Sequence, residues 1–333
     1  MTEQKQKQCR VPDNASTICL GAGSYGSSVE LLDAFRLMDL FYEKGGRFLD
    51  TAHIYAAWLE GGAGKSERCV GEWMRANGLE NEVVVATKGG HRSLEDDVSS
   101  GNLSREFLEQ QLSESLDRLG LDYVALYWLH RDEPERPVEK IMETLATFHD
   151  EGRIGAIGAS NWTTARMEAA NRFARDNGLP EFVASQPRFS AAHSTKTDTP
   201  NKNGMITLGA KGLAWHRKTQ VALIPYSSQA NGFFGSANVK WAKGGFEGEA
   251  PTKPQNDSPE NRKRLLSAID IAARVGATAN QVALAALIGL PFPVYPIIGT
   301  SKADHLTEAL DATQIKLGKA DVQSIIPEGF SDE

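Results

Sequence analysis

The sequence predicts a closed (β/α)8 barrel, and three observations carry that prediction. Short apolar segments alternate with amphipathic ones eight times along the chain. The apolar segments are rich in Val, Ile and Ala and mostly free of charge, as parallel strands covered on both faces must be. No change of texture marks a second domain, whereas a doubly wound sheet usually has fewer strands and a companion domain of different composition. We therefore expect one domain over 1–333, with a barrel core over about 17–313.

The first strand is read in TICL (17–20), followed by a helix in 27–45. RFLDTA (47–52) precedes a helix in 64–77, and VVVATKGG (83–90) precedes one in 104–120. In the last of these Phe107, Leu108, Gln111, Leu112, Ser115, Leu116 and Leu119 fall at three- and four-residue steps, a single apolar stripe. YVALYWLH (123–130) and IGAIGASNW (154–162) are followed by helices in 137–152 and 163–178. FVASQPRFS (182–190), VALIPYSS (221–228) and VYPIIGT (294–300) continue the rhythm, and ADHLTEALDA (303–312) completes it. Two polar segments rich in Gly, Pro, Asn and Lys, 191–206 and 231–261, interrupt it. Both follow C-terminal strand ends, where barrel enzymes build their sites, so both are read as lids over a pocket.

Composition narrows the function classes. A net charge of -7 without basic blocks argues against a nucleic-acid partner, although a pocket can differ in sign from the whole. Cys9, Cys19 and Cys69 form no C-x-x-C pair, and the polar stretch MTEQKQKQCR has no apolar core, so a cytoplasmic chain is expected. Residues 282–299 carry no charge, long enough to suggest a membrane span, but Pro291, Pro293 and Pro296 break the run into a buried helix, a turn and a buried strand. No membrane partner is expected. The seven histidines show no ligand spacing, so no metal is expected either. No signal sets the oligomeric state.

LGAGSYG (20–26) spells the G-x-G-x-x-G of a dinucleotide-binding sheet, with Asp50 at the end of the next strand where a ribose ligand is sought. The eight-fold rhythm makes it a decoy. In a barrel, Gly23, Ser24 and Tyr25 line the mouth at the first strand's end, and Asp50 joins other polar residues on the same rim. These are Tyr55, Lys88, His130, Ser160, Asn161, Gln186, Tyr226 and the run Gly299, Thr300, Ser301 and Lys302. An ammonium at Lys88 lowers the pKa of a neighbouring phenol, Tyr55. Asp50 offsets the cost of burying that ammonium. His130 orients a carbonyl oxygen beside the phenol. The four form a proton relay for carbonyl–alcohol chemistry without a redox group of their own, so a hydride must come from a bound cofactor.

FLDTAHIY, the helix start SER-x-VGEW (66–73), ATKGG, LYWLH, GRIGAIGASNW, SQPRFS, IPYSS and PIIGTSKADHL together resemble the aldo-keto reductase family over about residues 18–313. The resemblance implies a barrel that binds NADP(H) across its C-terminal mouth. Tyr55 is then the general acid, tuned by Lys88 and Asp50, with His130 positioning a small carbonyl substrate. It also implies that Ser160, Asn161 and Gln186 hold the nicotinamide carboxamide and that Tyr226 stacks on the ring. Ser227, Gln229 and Asn231 match the pyrophosphate loop, with Gln229 in place of a more usual leucine. Gly299, Thr300, Ser301 and Lys302 precede the last barrel helix, whose N-terminus suits a phosphate, and Lys302 is placed to read the 2′-phosphate of NADPH. His305 stands where the family often has Gln or Arg, and Glu308-Ala309 where it has Glu-Asn; NADPH is implied, with NADH a second cofactor. Arg131, Trp58 in a lengthened second loop, and Trp162 in place of a frequent Phe suggest a sugar-like aldehyde or ketone, or simply apolar pocket wall. Two other functions fit the residues: a barrel lyase using Lys88 as a Schiff-base amine, and a non-catalytic cofactor-sensing subunit.

Overall fold

A computed structural model describes residues 10–94, 98–193 and 197–331. Eight parallel strands run β1 Cys19–Gly21, β2 Phe48–Asp50, β3 Val84–Gly89, β4 Val124–Leu129, β5 Ile154–Ser160, β6 Phe182–Gln186, β7 Ala222–Leu223 and β8 Ile297–Ile298. They pair in the order β7-β6-β5-β4-β3-β2-β1-β8. The two ends of that order meet: Tyr295 N–H donates to Leu223 O at 2.9 Å and Ile297 N–H to Pro225 O at 3.0 Å, so the sheet closes into a barrel. β7 and β8 are short because Pro225, Pro293 and Pro296 flank them and have no N–H for a ladder. Their pairing continues through these irregular contacts.

The period-2 alternation of each strand divides the core. Phe48, Val84, Ala86, Leu126, Trp128 and Ile224 belong to the cluster that fills the barrel, joined by Val11 from the segment before β1. Leu49, Val85, Tyr127, Leu129 and Ile157 belong to the cluster shared with the surrounding helices. Trp128 needs room: a Cβ added at Gly158 on the adjacent strand would lie 2.3 Å from its Cζ3. Gly158→Ala is therefore expected to overpack the barrel by about 1–3 kcal/mol. Urea unfolding would show this as a lower midpoint at unchanged slope, and an unchanged midpoint would contradict it.

The helices α1 Leu31–Glu43, α2 Lys65–Asn77, α3 Arg105–Leu119, α4 Val138–Asp150, α5 Thr164–Asn177 and α6 Ala210–Thr219 cover β1 to β6 in turn. In α3 the expected stripe is buried from Leu108 to Leu119, and Phe107 sits at its half-exposed edge. The Ser104 hydroxyl caps the start of α3 by accepting from Phe107 N–H, and left-handed Gly120 ends it.

Beyond β7 the structure departs from expectation. The polar segment 231–261 holds α7 Ser236–Lys243 and the start of α8 Pro259–Val275. The Asn238 side chain pins it by donating to Phe233 O and Thr252 O and accepting from Thr252 N–H. Of 191–206, residues 194–196 lie outside the described residues. The uncharged run 282–299 is a buried helix, α9 Ala279–Ile288, a turn and β8, as predicted. No single helix among the described residues is long and apolar enough to cross a membrane; α8 and α9 qualify only as a pair, bent by 98°. After α10 Ala303–Asp311 comes α11 Lys319–Ile325, past the expected core, burying Val322 and Ile325. Cys19 and Cys69 are buried free thiols, and Cys9 lies outside the described residues.

Candidate active site

Asp50 and Lys88 end neighbouring strands and meet inside the barrel mouth. Their side chains are 3% and 0% exposed, so each charge depends on the other. Lys88 Nζ donates to Asp50 Oδ2, to Thr51 O at 2.8 Å and to the Tyr55 hydroxyl at 3.1 Å, which uses all three ammonium protons. Tyr55 reaches this point because the chain after β2 keeps pairing with β3 through Thr51 and His53, then turns so that Tyr55 N–H donates to Ala52 O. Gly23 lies flat behind the phenol, where a Cβ would touch the ring at 3.4 Å.

His130 continues β4 by donating its N–H to Gly89 O, and its ring meets the Tyr55 ring edge to face at 5.7 Å. Burial, then the positive charges of Lys88 and Arg131, hold its pKa well below the ordinary histidine range, so it is neutral at physiological pH. His91, also buried and pushed below its ordinary range by burial, stands 5.1 Å away, ring to ring. Lys88 goes the other way: burial works against its charge, but Asp50 and Tyr55 more than offset this and its pKa rises.

Tyr55 corrects an expectation. Lys88 does lower its pKa, but burial of the phenol outweighs the ammonium, and the net shift is upward. The hydroxyl therefore holds its proton at neutral pH. Two neighbours were also misplaced. Tyr25 is fully buried, its hydroxyl donating to Thr300 O at 3.4 Å, so it supports the first strand's end from behind instead of lining the mouth. Trp162 is 2% exposed, edge-on to Phe182 at 5.3 Å and beneath the Arg166 guanidinium. It directly follows Asn161, whose left-handed backbone (φ 59°) lies just past the end of β5, so the strand alternation does not extend to the indole. Trp58, by contrast, is 57% exposed and stands at the mouth beside the Tyr55 ring, 6.4 Å away.

A chain of hydrogen bonds joins the remaining rim residues. Gln186 Nε2 donates to Asp50 Oδ1 at 2.9 Å, Ser160 Oγ to Gln186 O at 2.9 Å, and Asn161 Nδ2 to Ser160 Oγ at 3.0 Å. Asn161 Oδ1 accepts from the Tyr226 hydroxyl at 2.9 Å and from Ile206 N–H at 3.1 Å. Strands two, five, six and seven are thus tied at one level. Next to them opens a cavity of about 970 Å³, lined by Ser227, Gln229 and Asn231 on one side and Gly299, Thr300, His305 and Glu308 on the other. Ser301 and Lys302 line an adjoining one of about 430 Å³ with Ser24. Ser227, Ala230 and Asn231 adopt left-handed backbone (φ 56°, 51° and 50°). Such backbone costs about 1–3 kcal/mol per residue and gathers N–H groups into a concavity suited to an anion. Ser228 anchors this strap by donating to Ile297 O at 2.6 Å.

The sequence reading missed some residues here. Asn280 and Thr278, at the start of α9, line the large cavity opposite the strap, and Lys243 of α7 joins them. The Thr278 hydroxyl donates to Glu308 Oε1 at 2.5 Å. The N-terminal signal was present at Thr278, which forms a capping box with Gln281, but the cavity it borders depends on α7, which was read as loop. Among the described residues no group of His, Cys, Asp and Glu is placed to hold a metal.

A profile of the aldo/keto reductase family matches residues 17–326. The chain is 27% identical to norsolorinic acid reductase B of Dothistroma septosporum, an alignment covering 93% of this chain and 77% of that one. It is 28% identical to aldo-keto reductase yakc [NADP(+)] of Schizosaccharomyces pombe, over 84% and 78%. It is 27% identical to the uncharacterized oxidoreductase YrpG of Bacillus subtilis, over 91% and 89%. The chain belongs to the aldo/keto reductase family. Within that family it is an NAD(P)H-dependent oxidoreductase.

Proposed function

We propose that this chain reduces an aldehyde or ketone to the alcohol with NADPH, and that Tyr55 gives the carbonyl oxygen its proton. The observation that carries the reading is the Tyr55 hydroxyl hydrogen-bonded to Lys88 Nζ, with Lys88 held by Asp50 and the neutral His130 ring across the phenol. A protonated phenol with an ammonium behind it can release its proton to a developing alkoxide and return it in the reverse direction. Neutral His130 has one N–H to offer the same oxygen, fixing the carbonyl beside Tyr55.

The cavity fits a dinucleotide in size and lining: about 970 Å³, apolar around α8, with left-handed strap backbone at Ser227–Asn231 for a pyrophosphate. Reduced nicotinamide, when bound, supplies the hydride. Tyr226 is the aromatic face for that ring, and Ser160, Asn161 and Gln186 are the groups that would fix which side faces the substrate. Lys302 and His305, beside the N-terminus of α10, are assigned to the 2′-phosphate and favour NADPH over NADH. With Trp162 in the core, Trp58 alone remains as an aromatic face for a sugar-like substrate. A Schiff-base role for Lys88 is disfavoured because all its protons are engaged and its charge is held.

The test is a panel of aliphatic, aromatic and sugar aldehydes offered with NADPH and NADH, following absorbance of the reduced cofactor. Carbonyl-dependent consumption, faster with NADPH, is expected; no consumption with any carbonyl would overturn the reading. The pH dependence has a definite sign. Reduction needs Tyr55 protonated and His130 neutral, and burial moves the first group up and the second down. The reductive rate should stay flat from below about pH 6.5 towards about pH 10, the ordinary values of the two groups. A reductive rate that falls between about pH 7 and pH 8 would contradict it.

A further inference from the structure

Resting on the reductase reading, we propose that the substrate carries a carboxylate, and that the Arg131 guanidinium receives it while the carbonyl faces Tyr55. Arg131 directly follows His130 at the end of β4. Its Nη1 donates to His130 O at 3.0 Å, while its Nε is buried with no hydrogen-bond partner. No carboxylate among the described residues pairs with it: the adjacent Asp132 is turned away to Arg166, at 2.9 Å. A part-buried guanidinium left without an anion is costly in a folded protein, and such a group is retained where a ligand completes it.

The arginine is also aimed. Gly101 N–H donates to Asp132 O at 2.7 Å, and Gly101 presses so closely that a Cβ there would lie 2.9 Å from Arg131 O and 3.3 Å from Arg131 Cβ. This clamp fixes the backbone from which the guanidinium extends. The His130 O that accepts from it also accepts from Asn161 Nδ2 at 3.5 Å, and Asn161 Oδ1 in turn accepts from the Tyr226 hydroxyl at 2.9 Å, which sets the guanidinium beside the proposed nicotinamide platform.

Charge in the mouth supports the same conclusion. Asp50 neutralises Lys88, whereas Arg131 and Arg188 both act on Tyr226 and have no ion-pair partner among the described residues. A chain of net charge -7 thus holds a cation at the end of β4 that no carboxylate among the described residues neutralises. The phosphates of the cofactor do not account for Arg131, since it lines neither the strap cavity nor the Lys302 cavity. A carboxylate two or more bonds from the reacting carbonyl would bridge from the guanidinium towards Tyr55 and gain a charge-assisted, bidentate contact.

The experiment compares 4-oxobutanoate and 4-carboxybenzaldehyde, each against its methyl ester, with NADPH in excess. For at least one pair the acid should exceed its ester in kcat/KM by tenfold or more, mainly through KM, and this advantage should shrink as ionic strength rises. Arg131→Met should bring the acid-to-ester ratio towards one, and Arg131→Lys should restore part of it. Esters reduced as readily as acids by the unaltered protein, or a ratio untouched by Arg131→Met, would overturn this inference and leave the reductase reading intact. If neither acid nor ester consumes NADPH while other aldehydes of the panel do, this inference falls and the reductase reading stands; if no carbonyl of the panel does, both fall.

Discussion

Tyr55→Phe should lose about 10²–10⁴-fold in carbonyl reduction, the range typical of removing a positioned general acid. The change deletes a single oxygen from a ring that still packs on Gly23 and still meets His130 edge-on. Lys88 keeps Asp50 and Thr51 O as acceptors, so the ammonium remains paired. Stability should accordingly move by about 1 kcal/mol or less, the net value of one hydrogen bond. NADPH affinity, read by protein fluorescence quenching, should be unchanged, because Tyr55 does not line the cavity assigned to the cofactor. Loss of rate with retained binding is the expected pattern. Turnover within tenfold of the unaltered protein would mean that another group supplies the proton.

Lys88→Met should act on folding as well as rate. It removes the cation that compensates Asp50, which is 2% exposed inside the barrel. Gln186 Nε2 still donates to Asp50 Oδ1, but a single amide does not balance a buried carboxylate. Breaking such a pair from one side costs about 3–5 kcal/mol. Denaturant unfolding should register that loss, and Lys88→Met combined with Asp50→Asn should recover much of it, since no uncompensated charge then remains. Equal instability of the single and double variants would show that packing of the lysine stem, not charge, was the contribution. Activity should stay low in both, because the phenol has lost the ammonium behind it.

How far the sequence carried the description depends on the kind of information each residue holds. β3 to β6 were legible because each is five to seven residues of uninterrupted strand pattern. β7 and β8 were legible as apolar runs but not in length, since the flanking prolines truncate the ladder. α7 was hidden because half of its eight residues are polar or charged, Ser236, Asn238, Lys240 and Lys243, and glycines flank it at 235 and 244–245, so a short mixed helix reads as loop. Asp50, Tyr55, Lys88 and His130 converge because strand order alone brings strand ends together. Tyr25 and Trp162 failed for a different reason. A side chain just past a strand takes its direction from the local backbone, and the turn at Ala22–Tyr25 and the left-handed Asn161 are not strand-like. The sign of the Tyr55 shift was misjudged because neighbouring charges are visible in a sequence and desolvation is not.

The most direct test of the central claim uses NADPH carrying deuterium at one or the other of its two C4 positions, in single turnovers with an aldehyde. If Tyr55 donates the proton while Ser160, Asn161 and Gln186 hold one face of the ring towards it, the two labels behave differently. One should appear on the carbinol carbon with a slowed turnover, and the other should stay on the cofactor. Transfer of both labels to similar extents, or alcohol formed with neither, would contradict the account.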